Sequence, residues 1–491
     1  MSLFLRHKVT LFCTGLAILF MAGEEAAMGN VPSQDSPWEL SEQRLVSILG
    51  EEHYTPDEFI DALGTPSLTS MVESIKPKAS SWFKTLFKAH ALSHLPDLDA
   101  RFAKENGLGK RGWEIQSYTF TYRSQTVDGR EKEMSGRVTF LNNKEEGTPH
   151  QVKTISLHSH QALLDKEWAP SQSLMFAPLK VLWDSAVIEP DFQNWGINHG
   201  IEPDGSGSSI QMGRQLADCT VAALEVMRRH GVTLSPKGYT TNWGSSQGAL
   251  PALQFAKWYD TAAPKWFREA LRLRSTYAAE AAVDSPETTK IEYQRPEYIS
   301  IEIIALVGYF QAFTPEQMGG YRPEDFVPEW YTEKKYPLAD GRTISFFDAV
   351  CLSYPQITQP VTETITAFDQ VVAPDMLTKD GKVDFDCSKI ITWLSCLKKH
   401  NTLEDWTPQH PVYLAHAPKD DMIPYELAYK LYRTISNQGK NPKVHMLSIP
   451  FPRFIPTGGM LSHLVIAFLG QILMSLEENP EDMRLRYIPV K

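Results

Sequence analysis

The stretch Tyr239-Thr240-Thr241-Asn242-Trp243-Gly244-Ser245-Ser246-Gln247-Gly248-Ala249 runs from a β-prone segment into a helical one. Its middle fits the pattern G-x-S-x-G with Ser246 at the centre. Small residues around a central serine are what a sharp strand-to-helix turn requires, because the serine then sits at a strained apex with its oxygen presented outward. A bare G-x-S-x-G carries little information, since glycine and serine are common. Here the context adds to it: a strand is expected over 238–243 and a helix over 249–259, with Pro251 early enough to occupy the first helical turn. Ser246 is the candidate nucleophile, with Ser245 as the register alternative; without chemistry the same residues would form a glycine-rich turn.

Outward from that turn the texture is regular. Ser117-Tyr118-Thr119-Phe120-Thr121-Tyr122 and Arg137-Val138-Thr139-Phe140-Leu141 flank the turn signal Asp128-Gly129 and predict a hairpin. Extended runs at 152–157, 185–189, 271–278, 412–416 and 444–449 then alternate with helical runs at 211–230, 249–259 and 425–436. A hairpin followed by this alternation predicts an α/β fold, a mostly parallel central sheet with helices on both faces. The alternation breaks over 286–386, which is rich in aromatic, proline and acidic residues and holds an apolar helix candidate at 301–313. We read it as a helical cap over the carboxyl edge of the sheet, where open α/β sheets bind ligands. Tyr309, Phe310 and Phe313 in it suggest a hydrophobic pocket, or ordinary core. The expected layout is an export signal at 1–28, an N-terminal helical segment at 29–110, and the α/β domain at 111–491 with its insertion. The N-terminal segment has a possible helix start at Ser41-Glu42-Gln43-Arg44 and reads as a packing, capping or gating element.

Composition narrows the class. The 491 residues are 42% hydrophobic, enough for a large core, which excludes a disordered chain. With 48 basic and 59 acidic residues the net charge is −11, which disfavours holding nucleic acid on a broad cationic surface. Arg6-His7-Lys8, an apolar stretch at 9–23 and a small-residue segment ending at Gly29 form a secretory signal pattern with cleavage near Ala27. That apolar stretch falls short of the roughly 20 residues that span a bilayer, a retained anchor being the alternative. The expected product is secreted or periplasmic, with no transmembrane segment in the mature chain. Of the cysteines after Cys13, Cys219 falls in an apolar helical stripe and reads as a buried thiol, while Cys387 and Cys396 are close enough in sequence to close a short disulfide loop; Cys351 is the fourth.

A serine hydroxyl needs a neighbouring imidazole to take its proton and a carboxylate to hold that imidazole in the right tautomer. In this fold the order is serine, acid, histidine. The apolar run 412–416 leads into Ala417-Pro418-Lys419-Asp420-Asp421-Met422-Ile423-Pro424, so Asp420 is the candidate acid and Asp421 the fallback; either could instead cap the helix beginning near Pro424. After the last strand, the loop Gly458-Gly459-Met460-Leu461-Ser462-His463 before the apolar run 464–476 makes His463 the candidate base. His410, His416 and His445 lie before a strand, before the acid and within a strand, and fit that role less well.

These motifs, with Ile188-Glu189-Pro190-Asp191-Phe192-Gln193-Asn194-Trp195-Gly196 after an expected strand, resemble the α/β-hydrolase superfamily. Over about residues 112–476 the layout is most similar to its secretory lipase branch, which includes yeast lipase A-like enzymes and bacterial secreted esterases. The resemblance implies hydrolysis of carboxylic esters, small-molecule or lipid, through an acyl-enzyme on Ser246, with no metal or organic cofactor. It also implies an oxyanion hole built from the backbone N–H of Gln247 and a second donor at His160 or Gln161. The sequence departs from the family there, with Ser159 where such proteins often carry glycine in Leu157-His158-Ser159-His160-Gln161. His158 and His160 could form a metal pair but have no third ligand nearby in sequence. Two other functions use the same scaffold. A secreted serine peptidase would share the triad, but no propeller-like repeat precedes the domain; a non-catalytic binding protein would ordinarily lack a triad member, and none is missing.

Overall fold

The computed structural model of the chain describes residues 43–55, 58–59, 62, 113–143, 149–160, 169–174, 180–181, 184–199, 201–202, 205, 207–281, 313–337, 343–345, 370, 372–418, 420, 423–448 and 488–489. The export signal, most of the N-terminal segment, Gln161, Tyr309, Phe310, Cys351, Asp421 and His463 lie outside the described residues.

The hairpin forms as its alternation predicts. Strands β2 (Trp113–Gln125) and β3 (Glu131–Asn143) pair antiparallel in an unbroken register from Trp113↔Asn143 to Gln125↔Glu131. Gly129 closes the turn at φ 85°, a conformation that glycine adopts without steric cost.

Residues 45–54 correct the reading of the N-terminal segment as helical. Leu45–Tyr54 is a strand, β1, antiparallel to β2. Its sequence LVSILGEEHY has no clean alternation, and what selects the strand is its partner about 70 residues away. Ser47 and Thr121 hydroxyls meet at 2.8 Å, and Tyr118 donates to Glu51 at 2.9 Å. Arg137, buried in β3, directs its guanidinium to Glu52 at 2.8 Å and to the Ser117 hydroxyl at 2.9 Å. A buried cation without such partners would be costly, so β1 supplies neutralising charge as well as backbone pairing.

The remaining strands build the parallel part: β4 (His150–Ser159), β5 (Ser185–Pro190), β6 (Val232–Ser245), β7 (Leu273–Ala279), β10 (Val412–His416) and β11 (Val444–Ser448). Between β7 and β10 the described parts of the insertion contain a helical turn at Trp330–Glu333 and a small hairpin of β8 (Lys335–Pro337) and β9 (Thr343–Ser345). A short β12 (Ile488–Pro489) pairs antiparallel with β11. The ten-stranded sheet runs β1-β2-β3-β5-β4-β6-β7-β10-β11-β12. Strands β5 and β10 are buried throughout, as expected of parallel strands covered on two faces.

Helices α1 (Ser209–Arg229), α2 (Ala249–Thr261), α3 (Lys265–Leu271), α4 (Ser388–Asn401) and α5 (Tyr425–Ile435) complete the framework. On α1, Met212, Leu216, Cys219, Ala223 and Val226 recur at helical spacing and join a core with Phe120, Val138, Ile155 and Ile188. Leu253 and Ala256 of α2 share a second core with Ala278, Leu414, Met446 and Ala428 of α5. The sheet's other face carries a row of aromatic rings in direct register, His158↔Trp243↔Tyr277↔Tyr413↔His445. Neighbouring rings stack at 4.1 Å for His158–Trp243, 4.8 Å for Tyr277–Tyr413 and 5.0 Å for Tyr413–His445.

Cys219 is a buried free thiol, as its position in the α1 stripe predicts. Cys387 and Cys396 are also free, which corrects the expected short loop. They flank and occupy α4, where nine residues at 1.5 Å rise separate them by about 13 Å, well beyond the roughly 7 Å that a disulfide can bridge.

The end of α4 docks on the start of α1. Asn401 accepts from Ser209 N–H and donates to the Gly207 carbonyl, both at 2.9 Å. Ser208 caps α1 by accepting from Gln211 N–H at 3.2 Å, and its hydroxyl lies 3.0 Å from His400 Nδ1. His400 is buried with Phe313 of the insertion edge-on at 4.7 Å, and burial, with nearby Lys399, lowers its pKa from 6.5 to about 3. The unfolded chain therefore takes up a proton near pH 6.5 that the folded chain accepts only near 3, so stability falls as pH drops through that window. Urea unfolding of the wild type between pH 6.5 and 4 should lose on the order of 1 kcal/mol per pH unit from this residue. His400→Asn should flatten the slope; an unchanged slope would remove His400 from the account.

Candidate active site

The strand order reverses at β4. The chain leaves β4 for β5 on one side and then crosses to β6 on the other, so connections diverge at the carboxyl ends of β4 and β6. A crevice opens at such a point, and ligands of open α/β sheets bind there. Both His160, just past β4, and Ser246, just past β6, stand at this edge, with the register Ser159↔Gly244 aligning the two strand ends.

Ser246 follows β6 directly and begins a single 3-10 turn, Ser246–Gly248, that passes into α2. Its φ is 61°, in the left-handed region that costs a non-glycine residue about 1–3 kcal/mol. The flanking glycines explain how the turn is so tight. A Cβ on Gly244 would lie 2.1 Å from the Gly248 carbonyl oxygen, and one on Gly248 would lie 2.1 Å from the Ser159 carbonyl oxygen. The G-x-S-x-G spacing thus reflects two backbone approaches, one within the turn and one between the turn and the end of β4. Asn242 Nδ2 donates to the Ala252 carbonyl at 2.7 Å and ties strand to helix beneath the turn. Pro251 sits in the first turn of α2, as predicted.

On the far side, β10 ends at His416 and the chain turns at Ala417, whose carbonyl accepts from Asp420 N–H at 3.2 Å. Asp420 is buried, and its Oδ1 accepts from Ile423 N–H at 3.1 Å. That bond lies within its own loop. Helix α5 begins after Pro424 without any side-chain cap, so capping does not account for Asp420.

A further carboxyl at this edge was not singled out from the sequence. Glu280 follows β7, fully buried, with φ 52°. Its Oε1 accepts from Ala417 N–H at 3.1 Å, its Oε2 lies 3.5 Å from His416 Nε2, and one of its carboxyl oxygens lies within 4.8 Å of one from Asp420. Burial and the adjoining Asp420 push its pKa well above the carboxylate range. The available signal was a charged residue directly after the apolar run Tyr277-Ala278-Ala279, at the carboxyl end of a parallel strand. Among the described residues, one donor atom from each of Glu280, His416 and Asp420 fall within 4.8 Å of one another. At that spacing either a cation or a proton shared between the two carboxyls would offset the charge.

His158 and His160 do not form a pair. His158 Nδ1 bonds Glu189 Oε1 at 2.8 Å inside the sheet, whereas His160 Nε2 meets the Asp191 carbonyl at 3.1 Å. The Asp191 segment is itself pinned, Oδ1 accepting from Ser171 N–H at 2.9 Å and Oδ2 from the Ser135 hydroxyl at 2.5 Å. His160 and half-buried Gln247 are thus placed beside Ser246, while Gln161 and His463 lie outside the described residues.

The chain superimposes on solved structures over most of its length. The esterase LipA of Xanthomonas oryzae, described as rice cell wall degrading, superimposes with a TM-score of 0.54 at 14% identity, covering 77% of this chain and 93% of its own. The fold is that of the α/β-hydrolases. A provisionally assigned hydrolase of Legionella pneumophila matches at a TM-score of 0.52 and 15% identity, over 78% of this chain and 95% of its own. Lipase A of Candida antarctica matches more loosely, at 0.42 and 15% over 69% and 73%. No family profile and no curated protein sequence matches the chain. In this chain, residues 280–411 separate two strands that are sheet neighbours, β7 and β10, so the insertion departs from the site's edge. Among the described residues no helix is long and apolar enough to cross a membrane.

The contact of Gly248 with β4 is directly testable. Gly248→Ala should force the Ser159 carbonyl away, destabilise the protein by roughly 1–3 kcal/mol and reduce fluorophosphonate labelling of Ser246 in the fraction that folds. Unaltered urea midpoint and labelling would contradict that packing.

Proposed function

We propose that this chain is an exported serine hydrolase that cleaves carboxylic esters through an acyl-enzyme on Ser246. The observation that carries the reading is the left-handed Ser246 at the carboxyl end of β6, held between Gly244 and Gly248 with the end of β4 against it. Strain of that kind is retained where the surrounding structure requires it, and nucleophilic serines are presented in this way. Asp420, buried at the same edge beyond β7, supports the assignment of the acid.

In this mechanism His463 takes the Ser246 proton as the hydroxyl oxygen attacks the ester carbonyl. Asp420 holds the imidazole in the tautomer that accepts it and stabilises the imidazolium that forms. The Gln247 N–H, with a donor from His160 or Gln161, binds the oxyanion of the tetrahedral intermediate. His463 then gives its proton to the leaving alkoxide, and water activated by the same imidazole releases the acid. Strand β11 runs parallel to β10, so the chain leaves its carboxyl end on the Asp420 side before reaching His463, which favours this pairing. The likeness to LipA, an esterase, favours esters over peptide amides. Export rests on the signal pattern of residues 1–28.

Ser246→Ala should lower turnover of nitrophenyl esters by about a thousandfold or more and abolish fluorophosphonate labelling, with the fold intact by circular dichroism. His463→Ala should behave alike. Near-normal turnover by Ser246→Ala, or faster cleavage of peptide amides than of esters by the wild type, would reject the proposal.

A further inference from the structure

The sheet register brings three residues into one row at the site. Ser245, Ala279 and Ala415 are consecutive partners across β6, β7 and β10, so the next residues, Ser246, Glu280 and His416, stand side by side at the carboxyl edge. Glu280 is central, anchored by its own N–H to the Ala415 carbonyl at 2.8 Å, and its left-handed backbone aims the side chain at the loop after β10. The titratable groups facing it are His416 at the end of β10 and Asp420 in that loop, with Ser246 beyond on β6. Among the described residues no lysine or arginine pairs with Glu280.

We infer that Glu280 is a positioning residue that stays protonated and donates its proton in a hydrogen bond to the Asp420 carboxylate. The inference rests on the triad reading above, since Asp420 is the group acted upon. Two buried carboxyls whose oxygens lie within 4.8 Å of one another do not both carry charge readily away from water, which favours one proton held between them. Each carboxyl accepts one backbone N–H, and the charge stays on Asp420, the less enclosed of the two at 6% exposure against 0% for Glu280, because burial penalises the charged form. Glu280 Oε1 is occupied by the Ala417 N–H, which leaves the proton on Oε2. His416 Nδ1 lies 3.0 Å from the Ala417 carbonyl and donates to it, so Nε2, 3.5 Å from Glu280 Oε2, is an acceptor facing the same proton. Fully buried surroundings hold Glu280 neutral well above the usual carboxylate range.

The consequence is catalytic. A donor on Asp420 fixes its orientation and draws off part of its charge, and a carboxylate with less charge raises the pKa of its histidine less. His463 would then remain an unprotonated base to lower pH, and the acid limb of kcat/KM reports that value.

The test compares Glu280→Gln, which keeps a donor but cannot ionise, with Glu280→Leu, which removes it. Glu280→Leu should lower kcat by about tenfold or more with little change in KM, and move the acid limb upward by about half a pH unit or more. Glu280→Gln should restore most of kcat and return the acid limb to the wild-type position, a rescue that a purely structural role would not produce. Gln behaving like Leu, or neither variant shifting the limb, would overturn the inference. If Glu280→Leu fails to fold, infrared difference spectra decide: a protonated carboxyl band present in the wild type and lost in Glu280→Gln supports the shared proton. A spectrum of carboxylates alone, as for a bound cation, refutes it. Wild-type protein that neither labels with fluorophosphonate nor turns over esters would instead dispose of the hydrolase reading, and the infrared band would still decide the carboxyl pair.

Discussion

The backbone contact between Gly248 and the end of β4 is the constraint on which the site depends. It holds only if three conditions are met together. Strands β4 and β6 must be neighbours in parallel register, residue 248 must lack a Cβ, and the chain between them must turn through Ser246 in a left-handed conformation. Relaxing the serine to ordinary backbone angles would swing α2 away from the sheet. The strain of about 1–3 kcal/mol is carried by the packing of that helix, whose apolar residues are shared between the two main cores. Ser246 is thus placed by a helix packed into both cores.

A similar economy governs the buried charges. Arg137 lies within the sheet, and Glu52 reaches it from a strand far away in sequence. Asp218 on α1 is met by Arg44 at 2.8 Å and by the Ser124 hydroxyl at 2.8 Å, so the chain just before β1 is fastened to a helix as well as to β2. In each case an internal ionisable group is met by a partner from a distant element, which ties together segments that share little apolar surface. At the site the arrangement differs. Among the described residues Glu280 pairs with no lysine or arginine, and another carboxyl and an imidazole lie close to it. Structural ion pairs neutralise charge, whereas this cluster brings two carboxyls and an imidazole together at the sheet edge.

Much of the fold was legible because its signals are local. The hairpin around Asp128-Gly129, the strand 412–416 and the helix of α2 follow from alternation, turn chemistry and spacing within a few residues, and they lie where those patterns put them. Strand β1 was misread as helical because nothing local distinguishes LVSILGEEHY; its conformation is imposed by the open edge of β2. The pairing of Cys387 with Cys396 failed for a related reason, since nearness in sequence becomes separation once the intervening residues form a helix.

By itself the sequence determined the α/β class and the serine at the strand-to-helix turn, and it singled out the carboxylate four residues past the histidine that ends β10, because each rests on a motif whose geometry is enforced by neighbours along the chain. Tertiary structure alone decided that Glu280 stands between Ser246 and His416 and against Asp420. That grouping exists only after β7 is set between β6 and β10, the latter separated from it in sequence by the whole of residues 280–411, and no local pattern encodes which strand ends will meet.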